Sequence, residues 1–110
     1  YAITLPGDRE LLLLHSKKDS LRGGHSHNVG ELVVFLTGHM RYHKRITDDD
    51  EWAREVNGGD VVFNPPNEIH MGEFLEDTWL LEYKIGARKG EWTNTNYEQW
   101  RKQVERAASR

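Results

Sequence analysis

Two histidines and a glutamate lie close together in residues 24–31, and these side chains could bind a metal ion. His25 and His27 are two positions apart, so on a β-strand both imidazoles would point to the same side. Residues 28–30 allow a turn, and Glu31 then opens an apolar run typical of a buried strand. Two imidazoles and a carboxylate suit Fe(II), Mn(II), Ni(II), Co(II) or Zn(II). On its own, the His-x-His pair is better explained by an exposed strand edge or a chance repeat.

The spacing of these residues matches a known motif of the form G-x5-H-x-H-x3,4-E-x6-G. His25, His27, Glu31 and Gly38 fill four of its positions, while Asp19 stands at the leading glycine. With these residues the chain resembles the cupin superfamily.

A second segment fits the second motif of that superfamily, which has the form G-x5-P-x-G-x2-H-x3-N. Gly59, Pro65 and His70 fit the motif. Asn67 replaces a glycine, a mild change because asparagine tolerates left-handed backbone, and Phe74 replaces the final asparagine. Outside this motif, His70 would be read as an ordinary core or loop histidine.

The resemblance covers about residues 10–86 and implies a metal site made of His25, His27, Glu31 and His70. The metal would be a divalent transition ion, and Fe, Mn, Ni and Zn all remain open. The implied fold is all-β: a small, single-domain cupin barrel, also described as a double-stranded β-helix, a jelly roll or RmlC-like.

Alternation of side chains predicts which residues face the barrel interior. If Glu31 points inward, Val33 and Phe35 follow it, and the opposite face of this strand is also apolar. That outward face needs a cover, which could be a C-terminal helix, another sheet or a second subunit. A homodimer is therefore one possibility.

Two tyrosines are candidates for proton transfer beside the metal. Tyr42 shares the apolar face of its predicted strand, and Lys44, on the same face, is a weaker candidate. Residues 79–85 alternate so clearly that we expect their apolar face, including Tyr83, to line the barrel. His43 is expected to face solvent.

A C-terminal amphipathic helix is predicted over residues 96–108. Tyr97, Trp100 and Val104 recur there at helical spacing. We expect this helix to pack on the outside of the barrel, which itself should end near Gly86.

Length and composition narrow the class of protein. The 110 residues predict one domain, spanning residues 1–110, and the net charge of −3 argues against a nucleic-acid partner. No apolar run has membrane-spanning length, and no secretory leader is seen, although the chain begins at Tyr1 rather than methionine. Cysteine is absent from the sequence, which excludes disulfides and thiolate ligands. Cytoplasm is the default location.

The expected function is that of a metal-dependent enzyme acting on a small oxygen-rich metabolite such as a sugar, a sugar acid or another carboxylate. Four protein ligands leave an octahedral metal two open positions for Lewis-acid or dioxygen chemistry. The resemblance implies isomerases, lyases, decarboxylases and dioxygenases. Two alternatives remain: a non-catalytic sensor that binds a small molecule, and a metal-free structural cupin.

Overall fold

The computed structural model describes residues 1–47 and 50–108, which form ten strands and a C-terminal helix. The strands are β1 (Ala2–Leu5), β2 (Arg9–Ser16), β3 (Leu21–His27), β4 (Glu31–Thr37), β5 (His39–Thr47), β6 (Asp50–Asn57), β7 (Val61–Asn64), β8 (Ile69–Phe74), β9 (Thr78–Lys84) and β10 (Asn94–Asn96). The helix, α1, spans Glu98–Ala108.

The strands form two five-stranded antiparallel sheets. Sheet A has the order β1-β2-β9-β4-β7, and sheet B has the order β10-β3-β8-β5-β6. Most neighbours in each sheet come from distant parts of the chain, as in a double-stranded β-helix, and only β1–β2 and β5–β6 are pairs of consecutive strands among the described residues. The predicted all-β class with a C-terminal helix is confirmed.

The core lies between the two sheets and follows the alternation of the strands. Its buried members are Val33, Phe35, Met40, Tyr42, Val56, Val62, Phe74 and Leu80. Each such side chain contributes about 1.5–3 kcal/mol by leaving water. The inward orientation predicted for residues 33, 35 and 42 is confirmed.

The orientation predicted for β9 is wrong. Leu80 is buried in the core, and Glu82 and Lys84 follow it toward the interior. Tyr83 therefore points outward, where its hydroxyl accepts a hydrogen bond from Arg9 Nη1 at 3.4 Å. Alternation identifies the residues that share a face, but it does not say which face is inside when the other one is also apolar. Tyr83 thus lies away from the interior in which a proton-transfer role was expected.

Helix α1 covers the outer face of sheet B. Trp100 and Val104 pack against Met71 of β8, and Trp100 Nε1 donates a hydrogen bond to Glu51 Oε2 at 3.2 Å. The helix begins two residues later than the predicted range of 96–108 and ends at the same residue. Within the described ranges, no helix combines the length and the apolarity needed to cross a membrane.

The sheets extend beyond the range of 10–86 predicted for the barrel. Strand β1 pairs with β2 at one end of the chain, and β10 pairs with β3 at the other. Strand β10 has only three residues, all polar, so no apolar alternation marked it in the sequence.

Four motif positions adopt left-handed backbone, including both positions that depart from glycine. Gly38 and Gly59 each have φ of 97°, while Asp19 has 71° and Asn67 has 68°. Aspartate and asparagine tolerate this region better than other residues with a β-carbon. The two residues that replace glycine therefore still adopt the left-handed backbone that glycine allows.

Candidate metal centre

The candidate ligands come together because β3 and β8 are neighbours in sheet B. His25 and His27 lie at the end of β3, and His70 lies near the start of β8, with His25 directly opposite His70. Glu31 is the first residue of β4 in sheet A and faces them across the interior. The site therefore lies between the two sheets.

The three imidazoles form a tight cluster. Their ring centroids are separated by 4.6 Å (His25–His27), 4.8 Å (His25–His70) and 5.0 Å (His27–His70). One nitrogen from each ring lies within 4.8 Å of the others. Such an arrangement allows all three to coordinate one ion.

Hydrogen bonds on the far side of two rings fix their tautomers. His27 Nδ1 contacts Asn94 Oδ1, and His70 Nδ1 lies 3.2 Å from the backbone oxygen of Glu68. Both partners are acceptors, so each Nδ1 carries the proton and each Nε2 presents a lone pair in the neutral ring. Metal-binding histidines are commonly oriented in this way.

Glu31 lies beside two of the three histidines. Its Oε2 is 3.3 Å from His27 Nε2, and its Oε1 is 3.5 Å from His70 Nε2. Asn64 Nδ2 donates to Oε1 at 3.0 Å, and Lys84 Nζ donates to Oε2. The carboxylate is thus held in place while remaining next to the imidazoles.

These atoms fit a cation. Carboxylate oxygens and imidazole lone pairs face one another, and only a proton or a cation between them makes such a contact favourable. Among the described residues, the buried His27 Nε2 has no hydrogen-bond partner. Nitrogen and oxygen donors together match a divalent transition metal. The assignment of these four residues as ligands stays a prediction.

The protonation states at neutral pH also suit a cation. Burial lowers the pKa of His25 and of His70 to about 4, and neighbouring imidazoles act in the same direction. Burial alone would raise the pKa of Glu31, but the adjacent Lys84 cation opposes this effect, and that pKa lies well below its usual range. A charged carboxylate and neutral imidazoles are the forms that bind metals.

A cavity of about 210 Å³ opens beside the cluster. Charged groups that the sequence analysis did not identify also line it, namely Arg22, Glu82 and Lys84. Glu82 and Lys84 belong to the face of β9 that was expected to point outward, opposite Tyr83. Two charges at alternate positions of an otherwise apolar strand were the signal that could have found them.

Tyr42 lines the same cavity, as predicted, but its surroundings favour a neutral hydroxyl. Burial and the charge of Glu31 raise the pKa of Tyr42 well above its usual value. Its hydroxyl accepts a hydrogen bond from Asn64 Nδ2 at 2.6 Å, and its ring stacks on His70 with centroids 6.3 Å apart. Lys44 does not line the cavity, because its Nζ binds Glu68 Oε1 at 2.6 Å.

Gly23 sets the close approach of β3 and β8 just before His25. It has φ of 99°, and a β-carbon there would lie 2.8 Å from the backbone oxygen of His70. The pairing of the two strands also shifts between Gly23 and His25. The bulge depends on a residue without a side chain.

We expect Gly23→Ala to lower the free energy of unfolding by about 2 kcal/mol or more, because left-handed strain adds to a backbone clash. Gly59→Ala is the matched control: its φ is 97°, but nothing lies within 4 Å of the added carbon, so strain alone applies. Urea unfolding measures both. If both variants lost the same free energy of unfolding, the close approach of β3 and β8 at Gly23 would not add to the cost of left-handed strain.

Comparisons of the sequence with known proteins do not show a family for the chain. No known family profile matches the chain. A 70-residue stretch is 33% identical to translation initiation factor IF-2 of Aliarcobacter butzleri (strain RM4018), covering 61% of this chain but 8% of that protein.

Solved structures with the same fold match most of the chain. The capsular polysaccharide assembling protein CapF from Staphylococcus aureus superposes with a TM-score of 0.65 at 24% identity, over 74% of this chain and 24% of that one. A point mutant of the oxalate decarboxylase OxdC from Bacillus subtilis gives 0.68 at 22% identity, over 84% and 25%. A second variant of oxalate decarboxylase from B. subtilis gives 0.70 at 15%, over 86% and 27%.

The chain spans about a quarter of the length of each of these structures. At these identities the likeness concerns the fold. Together with the two-sheet architecture and the motif positions described above, it shows that the chain has the cupin fold.

Proposed function

We propose that the chain is a metal-dependent enzyme that transforms a small, oxygen-rich, carboxylate-bearing metabolite. One observation supports this most: the cavity beside the three histidines and Glu31 also holds charged groups able to bind an anion and move a proton. Its volume of about 210 Å³ suits a small metabolite rather than a drug-sized ligand.

The residues His25, His27, Glu31 and His70 would hold the ion. A divalent transition metal bound there would supply Lewis acidity and, for some metals, dioxygen chemistry. The B. subtilis oxalate decarboxylase is described as having Mn(II) centres, which makes manganese one reasonable candidate. Iron, nickel and zinc are also compatible with the donor set.

Two cationic side chains would orient the substrate. Arg22 is exposed at the cavity, and a guanidinium binds a carboxylate through two parallel hydrogen bonds. Lys84 is buried, with Nζ 4.4 Å from the centroid of the Trp92 ring. It also holds Glu31, so it would couple the position of the metal ligand to the cavity wall.

Glu82 is the group best suited to proton transfer. Burial and the nearby charge of Glu31 raise its pKa above the usual value, although Lys84 partly opposes the shift from 3.9 Å away. A carboxyl whose pKa moves toward neutrality can both hold and release a proton at physiological pH. Glu82 takes the role that the sequence had suggested for Tyr42 and Tyr83.

Turnover by protein loaded with Mn(II), Fe(II), Ni(II) or Zn(II) tests the proposal. We expect NMR to detect consumption of at least one compound in a panel of oxalate, small hydroxy and keto acids, and sugar acids. Glu82→Gln should reduce the rate by about 100-fold, because general acid–base catalysis contributes that much, while the metal content stays unchanged.

Tyr83→Phe is the matched control, since Tyr83 points away from the cavity, and it should keep the wild-type rate. Saturable binding of a panel compound without turnover would favour the sensor instead. Equal rates for Glu82→Gln and the wild type would remove Glu82 from the mechanism.

We also propose that the partner is a small molecule, with no nucleic acid or membrane involved and with the cytoplasm as the location. The net charge of −3 supports the absence of a nucleic-acid partner.

A further inference from the structure

The outer face of sheet A is apolar across all five strands. Register places its outward side chains in two main rows. One row is Ile3, Leu11, Tyr83, Leu32 and Phe63. The next row is Leu13, Leu81, Val34 and Val61.

Side chains on this face are open to solvent although they are large and hydrophobic. Val61 is 54% exposed, Phe63 49% and Leu36 46%. Of the eight large hydrophobic residues that are exposed in the described part of the chain, seven lie on or directly beside strands of sheet A, and the eighth is Trp52 on β6 of sheet B. Contiguous apolar patches of this kind mark interaction surfaces.

No described element covers this face. Helix α1 packs on the opposite side of the molecule, against sheet B. The other sheet lies on the inner side of sheet A, across the core. The cover must therefore come from outside the described residues.

The size of the face suits a stable dimer. Five strands spaced about 4.8 Å apart and about 20 Å long give roughly 500 Å² in projection. The accessible area of such an uneven surface approaches the ~800 Å² that one partner contributes to a standard interface. Obligate homodimer interfaces are more hydrophobic than others and resemble a domain core cut in half.

The charge pattern favours a second copy over a charged partner. Among the described outward residues of these strands, the basic ones are Arg9 and His15, and there is no carboxylate. Arg9 donates to the Tyr83 hydroxyl, and the His15 ring packs on Trp79 with centroids 4.6 Å apart. If this face packs against the same face of a second copy, apolar rows contact apolar rows and no unpaired carboxylate is buried.

We infer that the outer face of sheet A binds the same face of a second copy of the chain, which forms a symmetric dimer. Two twisted sheets then pack face to face about 10 Å apart, as in a β-sandwich. The metal cluster lies on the inner side of the sheets, so dimerisation and metal binding are separable.

Sedimentation equilibrium tests the inference. At about 50 µM the wild type should have about twice the chain mass of 12.8 kDa. The double variant Val61→Glu/Phe63→Glu introduces charge at two exposed positions and should weaken dimerisation by about 100-fold. Metal content, measured in parallel, should not change.

Trp52→Glu is the control because Trp52 is 37% exposed and lies on sheet B, and it should stay dimeric. If the double variant fails to fold by circular dichroism, Leu36→Glu replaces it. A monomeric wild type, a dimer that survives the charged variants, or dissociation of Trp52→Glu to the same extent would each overturn the inference.

Discussion

Replacement of His70 by alanine is expected to weaken binding of Mn(II) and Zn(II) by about 1000-fold or more. Loss of a supporting hydrogen bond to a ligand alone costs 10- to 100-fold, and this substitution removes one of the four predicted donors. The three remaining groups would keep their places, since His25 and His27 are fixed on β3 and Glu31 is held by Asn64 and Lys84. Competition with a chromophoric chelator measures the affinity, and elemental analysis measures the metal content.

His43→Ala is the matched control for this prediction. His43 lies on the outward side of β5, where its Nε2 is 2.5 Å from Glu73 Oε1. We expect this variant to bind metal like the wild type. Both variants should keep their far-UV circular dichroism, because neither residue belongs to the apolar core. If His43→Ala lost the metal while His70→Ala kept it, His70 would not be a metal ligand and the predicted site would be wrong.

The convergence of the four candidate ligands was predictable because motif spacing encodes strand geometry. His25 and His27 share a side of β3 by alternation alone, and His70 sits opposite them because β3 pairs with β8. That pairing joins residues 45 positions apart, and nothing local in the sequence indicates it. The resemblance to cupins supplied this non-local information.

The orientation of β9 could not be predicted from its own residues. Both of its faces contain leucine, and the side carrying Glu82 and Lys84 looks like a solvent face. Burial of the Lys84 charge is favourable because Glu31 on β4 and Trp92 beyond β9 provide partners, and Lys84 in turn lies 3.9 Å from Glu82. A rule based on apolar alternation fails where a polar site requires buried charge.

The apolar outer face of sheet A is a second reason why the alternation rule assigned the wrong face of β9 to the interior. A strand whose outward residues are covered by a partner is apolar on both faces, as parallel strands buried on both sides are. Trp79 and Tyr83 therefore resemble core residues in the sequence although they point outward. The error on β9 and the proposed dimer thus have one physical cause.

Acidification is expected to destabilise the metal-free protein between pH 7 and pH 4. The pKa of His70 is 6.5 in the unfolded chain and about 4 in the folded one, because burial disfavours the imidazolium. As the pH falls below 6.5, His70 becomes protonated in the unfolded chain but stays neutral in the folded one. The free energy of unfolding therefore decreases between pH 6.5 and pH 4. The lowered pKa of His70 reduces the free energy of unfolding by about 3 kcal/mol at pH 4. His25 acts in the same direction, since its pKa is also lowered to about 4.

Urea unfolding of chelator-treated protein at several pH values measures this loss. His70→Gln provides the control, because glutamine keeps the polar contacts of the site but cannot take up a proton. Its stability should fall less steeply than that of the wild type between pH 6.5 and pH 4. Glu31 adds its own loss below its usual pKa of 4.5, because there the unfolded carboxylate takes up a proton while the folded one, whose pKa is depressed, stays charged. Parallel curves for wild type and His70→Gln would mean that the imidazole of His70 is not held neutral by the fold.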